Sequence, residues 1–313
     1  MDCVITGGAG FIGSHLARRL LASKAGRVRV FDNLSRGSFC NLKGSGLECL
    51  KGDIRDVGHL QRAMQGCDVA FHLAAEATVM GCERRSIDAH ETNVTGTFNV
   101  LRTAQKVGVR RVIFASSREV YGEVADLPVS ENAPIMPKNV YGATKAAGEM
   151  YCSWASSALE VTVLRLTNVF GPGDTDRVLP RFMADANAGR PLTVYGGAQI
   201  VDFVWVHNVI DAFIRAGLGP YVPGSVNVGS GAGVTIMEAA KRVIQLSGSD
   251  SELDILPTRE AEVIRFIANV SRARHELGLA CPSHPLNELA TMCVCEPLRT
   301  GPSEATVNGE FTC

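Results

Sequence analysis

Seven short apolar runs punctuate the chain: Cys3–Thr6, Val28–Asp32, Leu47–Gly52, Val69–Ala74, Arg111–Ser116, Val161–Leu166 and Val226–Val228. The first five are rich in Val, Ile, Leu or Phe and show no strict alternation with polar residues. That pattern predicts strands covered on both faces, as in a parallel sheet. Helical spacing fills the gaps, at Phe11–Ser23 and at Asp56–Gln65, where Asp56 is placed to cap the N-terminus. In Thr92–Val107, Val94, Phe98, Leu101 and Ala104 share one face. In Tyr141–Ala158, Ala143, Ala146, Ala147, Met150, Tyr151 and Trp154 form another stripe.

This βαβαβ rhythm predicts a Rossmann-like, doubly wound parallel α/β sheet over residues 1–166. Beyond residue 166 the rhythm breaks, and Gly and Pro punctuate the chain in FGPGDTD, GRPL, YGGAQ and GPYVPGS. Helical stretches recur at Thr235–Leu246 and Ser271–Leu277. Residues 167–313 read mainly as a smaller, mixed α/β, discontinuous substrate lobe, with a segment at about 198–230 returning to the first domain. The tail from Cys281 reads as loosely ordered.

Composition narrows the partners. The 313 residues carry a net charge of −1 and no polybasic run, which argues against nucleic acid and anionic membranes. No apolar stretch approaches the roughly 20 residues of a membrane span, and MDCVITGG has no basic region or cleavage site, so a cytoplasmic location is expected. The ten cysteines include no C-x-x-C pair, and the seven histidines show no ligand spacing, so neither a disulfide framework nor a metal site is expected. His72, inside VAFHLAA, reads as a packed, hydrogen-bonded residue.

Thr6–Gly13 follows a strand and opens a helix. It satisfies G-x-G-x-x-G through Gly8, Gly10 and Gly13, and G-x-x-G-x-x-G through Gly7, Gly10 and Gly13. Glycines let backbone approach a pyrophosphate, and the helix N-terminus supplies N–H groups and the positive end of a dipole. Asp32 lies nineteen residues past Gly13 at a strand end, where a carboxylate bonds the adenosine ribose. Its charge repels a 2′-phosphate and favours NAD over NADP, although Arg36 nearby leaves NADP open. Asp53 and Ile54 sit where they can meet the adenine edge.

Tyr141 and Lys145 stand four residues apart on one helix face, and an ammonium nearby favours the phenolate. Ser117 ends the fifth strand and can stabilise an anion at the same substrate oxygen. TGGAGFIG, Asp32, GDI at 52–54, HLAA at 72–75, Asn93 in TNVTGT, SSREVYG, YGATK and LRLTNVFGPG together resemble the extended short-chain dehydrogenase/reductases, and within them the nucleotide-sugar epimerases and dehydratases. The resemblance covers about residues 3 to 279.

It implies an NAD-dependent 4-epimerase of UDP-hexose or UDP-uronate. Tyr141 is then the base on the sugar 4-hydroxyl, Ser117 its partner, and Lys145 the residue that holds the nicotinamide ribose and lowers the tyrosine pKa. By the same resemblance, Gly7, Gly10, Phe11, Ile12, Gly13, Asp32, Asn33, Asp53, Ile54, Leu73, Ala74, Ala75, Asn93 and Ser116 hold NAD. Asn168 meets the nucleotide diphosphate, Leu179 and Tyr195 the nucleobase, and Arg259 a phosphate. A homodimer built on the helices at 92–107 and 141–158 is implied as well, although the Ala-rich stripe can equally face the sheet.

Two positions depart from the pattern. Simple 4-epimerases carry small residues where this chain has Arg118–Glu119; the 4,6-dehydratases carry Asp-Glu there, and sugar-acid decarboxylases Ser-Glu. Glu119 can therefore be a second catalytic base in a decarboxylase or dehydratase. Arg118 can hold a uronate carboxylate or a phosphate, or the two can be an ion pair that orders the loop. Val201 stands where relatives have a phosphate-binding arginine, which leaves the diphosphate to Arg259 and backbone N–H groups. A non-catalytic NAD-binding sensor is a further alternative, opposed by the joint presence of Ser117, Tyr141 and Lys145.

Overall fold

The computed structural model describes residues 1–23, 26–280 and 284–292. Strands β1 (Cys3–Thr6), β2 (Val28–Asp32), β3 (Glu48–Lys51), β4 (Val69–His72), β5 (Arg111–Ser117) and β6 (Glu160–Leu166) alternate with helices α1 (Phe11–Ala22), α2 (Val57–Met64), α3 (Val79–Arg84), α4 (Ser86–His90), α5 (Gly96–Val107) and α6 (Val140–Ala155). Then come β7 (Asn168–Phe170), α7 (Val178–Asn187), β8 (Leu192–Tyr195), β9 (Ile200–Val201), β10 (Phe203–Trp205), α8 (Val206–Leu218), β11 (Gly224–Val228), β12 (Val234–Thr235), α9 (Ile236–Ser247), β13 (Leu253–Leu256) and α10 (Ser271–Glu276).

Seven strands form one parallel sheet in the order β11-β6-β5-β4-β1-β2-β3. The winding reverses between β1 and β4, so the carboxyl ends of these strands diverge and open a crevice. The apolar runs lack alternation because both faces are covered, yet successive side chains still part to opposite sides. Cys3, Ile5, Phe71, Ile113, Leu164 and Val226 enter one core with Leu16 and Leu20 of α1 and Phe213 of α8. Val4, Ala70, Val112, Phe114 and Val163 enter the other with Leu60 of α2, Leu101 of α5 and Cys152 of α6.

The lobe is built from three two-stranded pairings: β7 with β10, β8 with β13, and β9 with β12. Its own core gathers Leu179, Phe182, Val194, Phe203, Trp205 and Val243. Helix α9 starts on a capping box, with Thr235 accepting from the Glu238 N–H and Glu238 accepting from the Thr235 N–H. Asp56 caps α2 through the His59 N–H at 3.0 Å.

Helix α8 was not anticipated from the sequence. Its β-branched start, FVWV, continues β10 without a polar cap. The signal was nevertheless present: Val206, Val209, Ile210, Phe213 and Ala216 are all buried at helical spacing. The helix expected at 92–107 is shorter, because Glu91–Thr95 forms a π-helical turn before α5. In the tail, Leu286 and Leu289 are buried against the lobe and Leu289–Met292 is helical. Residues 281–283 and 293–313 of the tail lie outside the described residues.

Candidate functional site

Most of the candidate residues line one cavity of about 950 Å³ at the carboxyl edge of the sheet, between the sheet and the lobe. Gly7, Gly10 and Gly13 line it and Gly8 does not, which selects the wider of the two glycine spacings. A Cβ on Gly13 would lie 2.2 Å from the Gly7 carbonyl oxygen, so α1 can press against the turn only with glycine there. The turn thereby leaves the first N–H groups of α1 facing the cavity with no side-chain cap on Gly10. Asp32 closes this end. Its carboxylate accepts from the Ala9 N–H at 3.0 Å and the Leu34 N–H at 2.8 Å, while burial pushes its pKa up. This donor set, N–H groups beside a fixed carboxylate, suits a dinucleotide: diphosphate at the helix end, ribose hydroxyls at Asp32. Phe11, Ile12, Asn33, Ile54, Leu73, Ala74, Ala75 and Ser116 line the same end.

Two expected cofactor residues do not reach the cavity wall. Asp53 is turned to Asn33 (2.9 Å) and to Arg55 (2.8 Å), whose guanidinium holds its carboxyl well below the usual range. It positions Asn33, and the wall beside it is made by Gly52 and Ile54. Asn93 is 1% exposed and braces two elements: it accepts from the Glu76 N–H and donates to the Glu76 carbonyl and to Thr144 Oγ1. An asparagine amide so fully used has no donor left for a ligand.

Tyr141 and Lys145 come from the start of α6. That start is fixed twice: Asn139 accepts from the Gly142 N–H, and Glu83 accepts from the Val140 N–H, both at 2.8 Å. A Cβ on Gly142 would lie 2.3 Å from the Glu119 carbonyl oxygen, so glycine lets α6 touch the segment after β5 and brings Tyr141 toward Ser117. Burial pushes the Tyr141 phenol up to about 12, while the Arg177 guanidinium and then the Ser117 hydroxyl pull it down. Lys145 Nζ donates to the Ala115 carbonyl at 2.8 Å and stands 5.9 Å from the Tyr141 ring centroid. Burial lowers Lys145 to about 8. Arg177, which the sequence did not single out, thus joins Lys145 as a cation near the phenol.

Behind these residues runs a buried polar chain. Ser116 Oγ donates to Glu149, Glu149 pairs with Arg165 at 2.6 Å, Arg165 donates to the Tyr121 hydroxyl at 2.8 Å, and that hydroxyl donates to Asn227 at 2.7 Å. Tyr141, Lys145 and Glu149 follow at four-residue intervals, so the chain anchors the same face of α6 to β5, β6 and β11. His72, 1% exposed, bonds Thr6 Oγ1 through Nδ1 (2.8 Å) and Thr97 Oγ1 through Nε2 (3.0 Å), and burial lowers its pKa to about 3.

The other end of the cavity belongs to side chains. Arg118 and Glu119 pair at 2.8 Å; Arg118 Nε also donates to Asn168 Oδ1 at 2.9 Å, and Glu119 Oε2 accepts from Asn139 at 2.7 Å. Leu179, Tyr195 and Arg259 line the lobe side, with the Arg259 guanidinium carbon 3.6 Å from the Tyr195 ring centroid and 3.2 Å between Arg259 and Glu262. Val201 lines the wall without charge.

The matching family model is the NAD dependent epimerase/dehydratase family, over residues 3–229. The chain belongs to that family. It is an enzyme of the family, and NAD is its cofactor. It is 36% identical over 305 residues to a UDP-N-acetyl-alpha-D-glucosaminuronate decarboxylase of Bacillus cytotoxicus, covering 90% of this chain and 92% of that one. It is 35% identical over 298 residues to a UDP-glucose 4-epimerase of Mycolicibacterium smegmatis, covering 89% and 93%. Its structure superposes with a TM-score of 0.88 and 30% identity on the UDP-glucose 4-epimerase of Thermus thermophilus in complex with NAD, covering 94% and 98%. This family member therefore has relatives of more than one activity.

Sequence reasoning missed Arg177 and Arg181, which reach the cavity from the first turn of α7 and its neighbour. Arg177 pairs with Asp174 at 3.0 Å. Arg181 has no carboxylate within 4.0 Å among the described residues, which makes it an uncompensated positive charge on the wall. The RVLPRF segment did carry a sign: two arginines four apart share a helix face. No helix among the described residues is long and apolar enough to cross a membrane, and no group of three metal-ligating side chains occurs among them.

Proposed function

We propose that this chain is an NAD-dependent nucleotide-sugar 4-epimerase. One observation carries the reading. Ser117, Tyr141 and Lys145 share the wall of the NAD cavity, while Glu119, the carboxylate that a decarboxylase or dehydratase needs as a second base, is held on both oxygens by Arg118 and Asn139. Tyr141 takes the proton from the sugar 4-hydroxyl and later returns it. Ser117 hydrogen-bonds the same oxygen and stabilises its charge. Burial raises the phenol pKa, and the Arg177 guanidinium and the Ser117 hydroxyl counter that, which favours proton transfer to Tyr141. Bound against Gly7, Gly10, Gly13 and Asp32, NAD would supply a hydride acceptor and donor for C4 of the sugar. Asn168, Arg181 and Arg259 offer donors to the diphosphate, and Leu179 and Tyr195 a surface for the base.

Incubating the NAD-loaded protein with UDP-glucose, UDP-galactose and UDP-glucuronate tests this. A C4 epimer is the expected product. Release of CO₂ from the uronate instead would favour the second reading, a decarboxylase, which the identity to a uronate decarboxylase and the presence of Glu119 support. Glu119→Gln preserves epimerisation on the first reading and abolishes CO₂ release on the second.

The homodimer belongs to the same proposal. Met150 and Trp154 on the outer face of α6 are 74% and 47% exposed, and the rings of Trp154 and Tyr151 lie tilted against Phe98 of α5, with centroids at 5.9 and 5.1 Å. This apolar patch can cover itself in a second copy about a two-fold axis. Sedimentation of Trp154→Glu as a monomer, against a dimeric parent, is the expected outcome.

A further inference from the structure

We propose that Arg118 makes this site selective for an acidic sugar, by receiving the carboxylate on C6 of a uronate whose C4 faces Tyr141. The inference rests on the nucleotide-sugar reading above and adds the substrate class.

A guanidinium carries five N–H bonds. In Arg118, Nε donates to Asn168 and Nη2 stands 2.8 Å from Glu119 in an ion pair. Nη1 has no hydrogen-bond partner among the described residues, yet the side chain lines the cavity and is 11% exposed. The guanidinium also lies 5.6 Å from the Phe266 ring centroid, so its plane is held by a ring, an amide and a carboxylate at once. What remains toward the cavity is the edge that suits a carboxylate in bidentate fashion.

Position selects which carboxylate. Arg118 directly follows Ser117, and the cavity places Ser117 beside Tyr141, where C4 is oxidised. On a hexose ring C5 adjoins C4, and C6 hangs from C5, so the C6 substituent is the charged group that falls nearest to that pair. The diphosphate has other cations at the lobe end, Arg181 and Arg259. The negative charge of Glu119 does not bar an incoming anion, because Arg118 and the Asn139 amide already hold it.

Loss of CO₂ from a 4-keto uronate breaks the C5–C6 bond and moves its electron pair, and the negative charge, to the C4 enolate oxygen; an arginine paired with the C6 carboxylate instead stabilises the charge where it starts. The residue that occupies Glu119 thus also retains the acid group while C4 changes hand.

Equilibrium binding to the NAD-loaded protein tests the assignment, with UDP-glucuronate, UDP-glucose and UDP as probes. The native protein is expected to bind UDP-glucuronate about 10-fold or more tighter than UDP-glucose. Arg118→Ala is expected to weaken UDP-glucuronate about 10- to 100-fold and to shift UDP and UDP-glucose by less than about 3-fold. Arg118→Lys keeps the charge but loses the fork, and falls between the two. Equal losses for all three ligands would assign Arg118 to the diphosphate and overturn the proposal, as would a native protein with no preference for the uronate. Unchanged NAD affinity in the variants reports that the fold is intact. The products from each sugar nucleotide decide separately whether the chain is an epimerase, so failure of that reading is distinguishable from failure of this one.

Discussion

The two ends of the cavity are built by different means. One end is lined by glycines, backbone N–H groups and one carboxylate, Asp32, whose oxygens are tied to the main chain. The other is lined by side chains that partner one another: Arg118 with Glu119, Arg177 with Asp174, Arg259 with Tyr195 and Glu262. Backbone geometry is set by the fold and costs nothing to reorganise. Paired side chains must exchange one partner for another when a ligand arrives. A family can therefore keep one cofactor while its members diverge in substrate, because few changes at the second end disturb the first.

The two ends of the cavity meet at Tyr141. Tyr141→Phe removes the proton acceptor and is expected to lower turnover about 10²- to 10⁴-fold with NAD affinity nearly unchanged, read by single-turnover assay and NAD titration. A large loss of NAD affinity would mean the two ends are not separable at this residue. Gly13→Ala attacks the cofactor end alone. Its Cβ would meet the Gly7 carbonyl at 2.2 Å, and the expected cost is about 1–3 kcal/mol in urea unfolding, together with weakened NAD binding.

Acid sharpens the contrast more gently. His72 supports the cofactor turn through Thr6 and is neutral in the fold, with its pKa lowered to about 3 from the 6.5 of an unperturbed histidine. Between these values the unfolded chain binds a proton that the folded chain does not. The stability from this residue is therefore full above about pH 6.5 and falls by about 1.4 kcal/mol per pH unit below it. Thermal unfolding across pH 4–7 should show this slope, and His72→Gln should flatten it. The smallest effect is expected at the substrate end: Arg259→Ala should weaken UDP about 3- to 10-fold, because the guanidinium exchanges an aromatic face and Glu262 for the ligand.

Legibility in the sequence divides along the same line. The parallel sheet could be read because buried strands write themselves as unbroken apolar runs, and the glycine turn because spacing dictates it. Asp53 and Asn93 could not be placed, since an acid at a strand end and an amide on a helix look alike whether they face a ligand or a neighbouring side chain. Of the three readings left open for Arg118–Glu119, the ion pair is present, and it sits inside the cavity, so it does not exclude a role with substrate. The lobe was least legible. Its strands are two to four residues long, too short for a period to appear, and α8 begins inside a β-branched run.

Helix α6 serves two tasks on opposite sides of one rod. Tyr141, Lys145 and Glu149 look inward, and Met150 and Trp154 look out. Each residue added to a helix rotates all later positions by about 100°. A single insertion between Lys145 and Glu149 would therefore swing the acid away from Arg165 and carry the outer aromatics round the rod with it. Point changes on the outer surface leave the inner one alone, whereas a change in length spares neither. The chain is thus free to alter its surface residue by residue here, but its count of residues along this helix is locked.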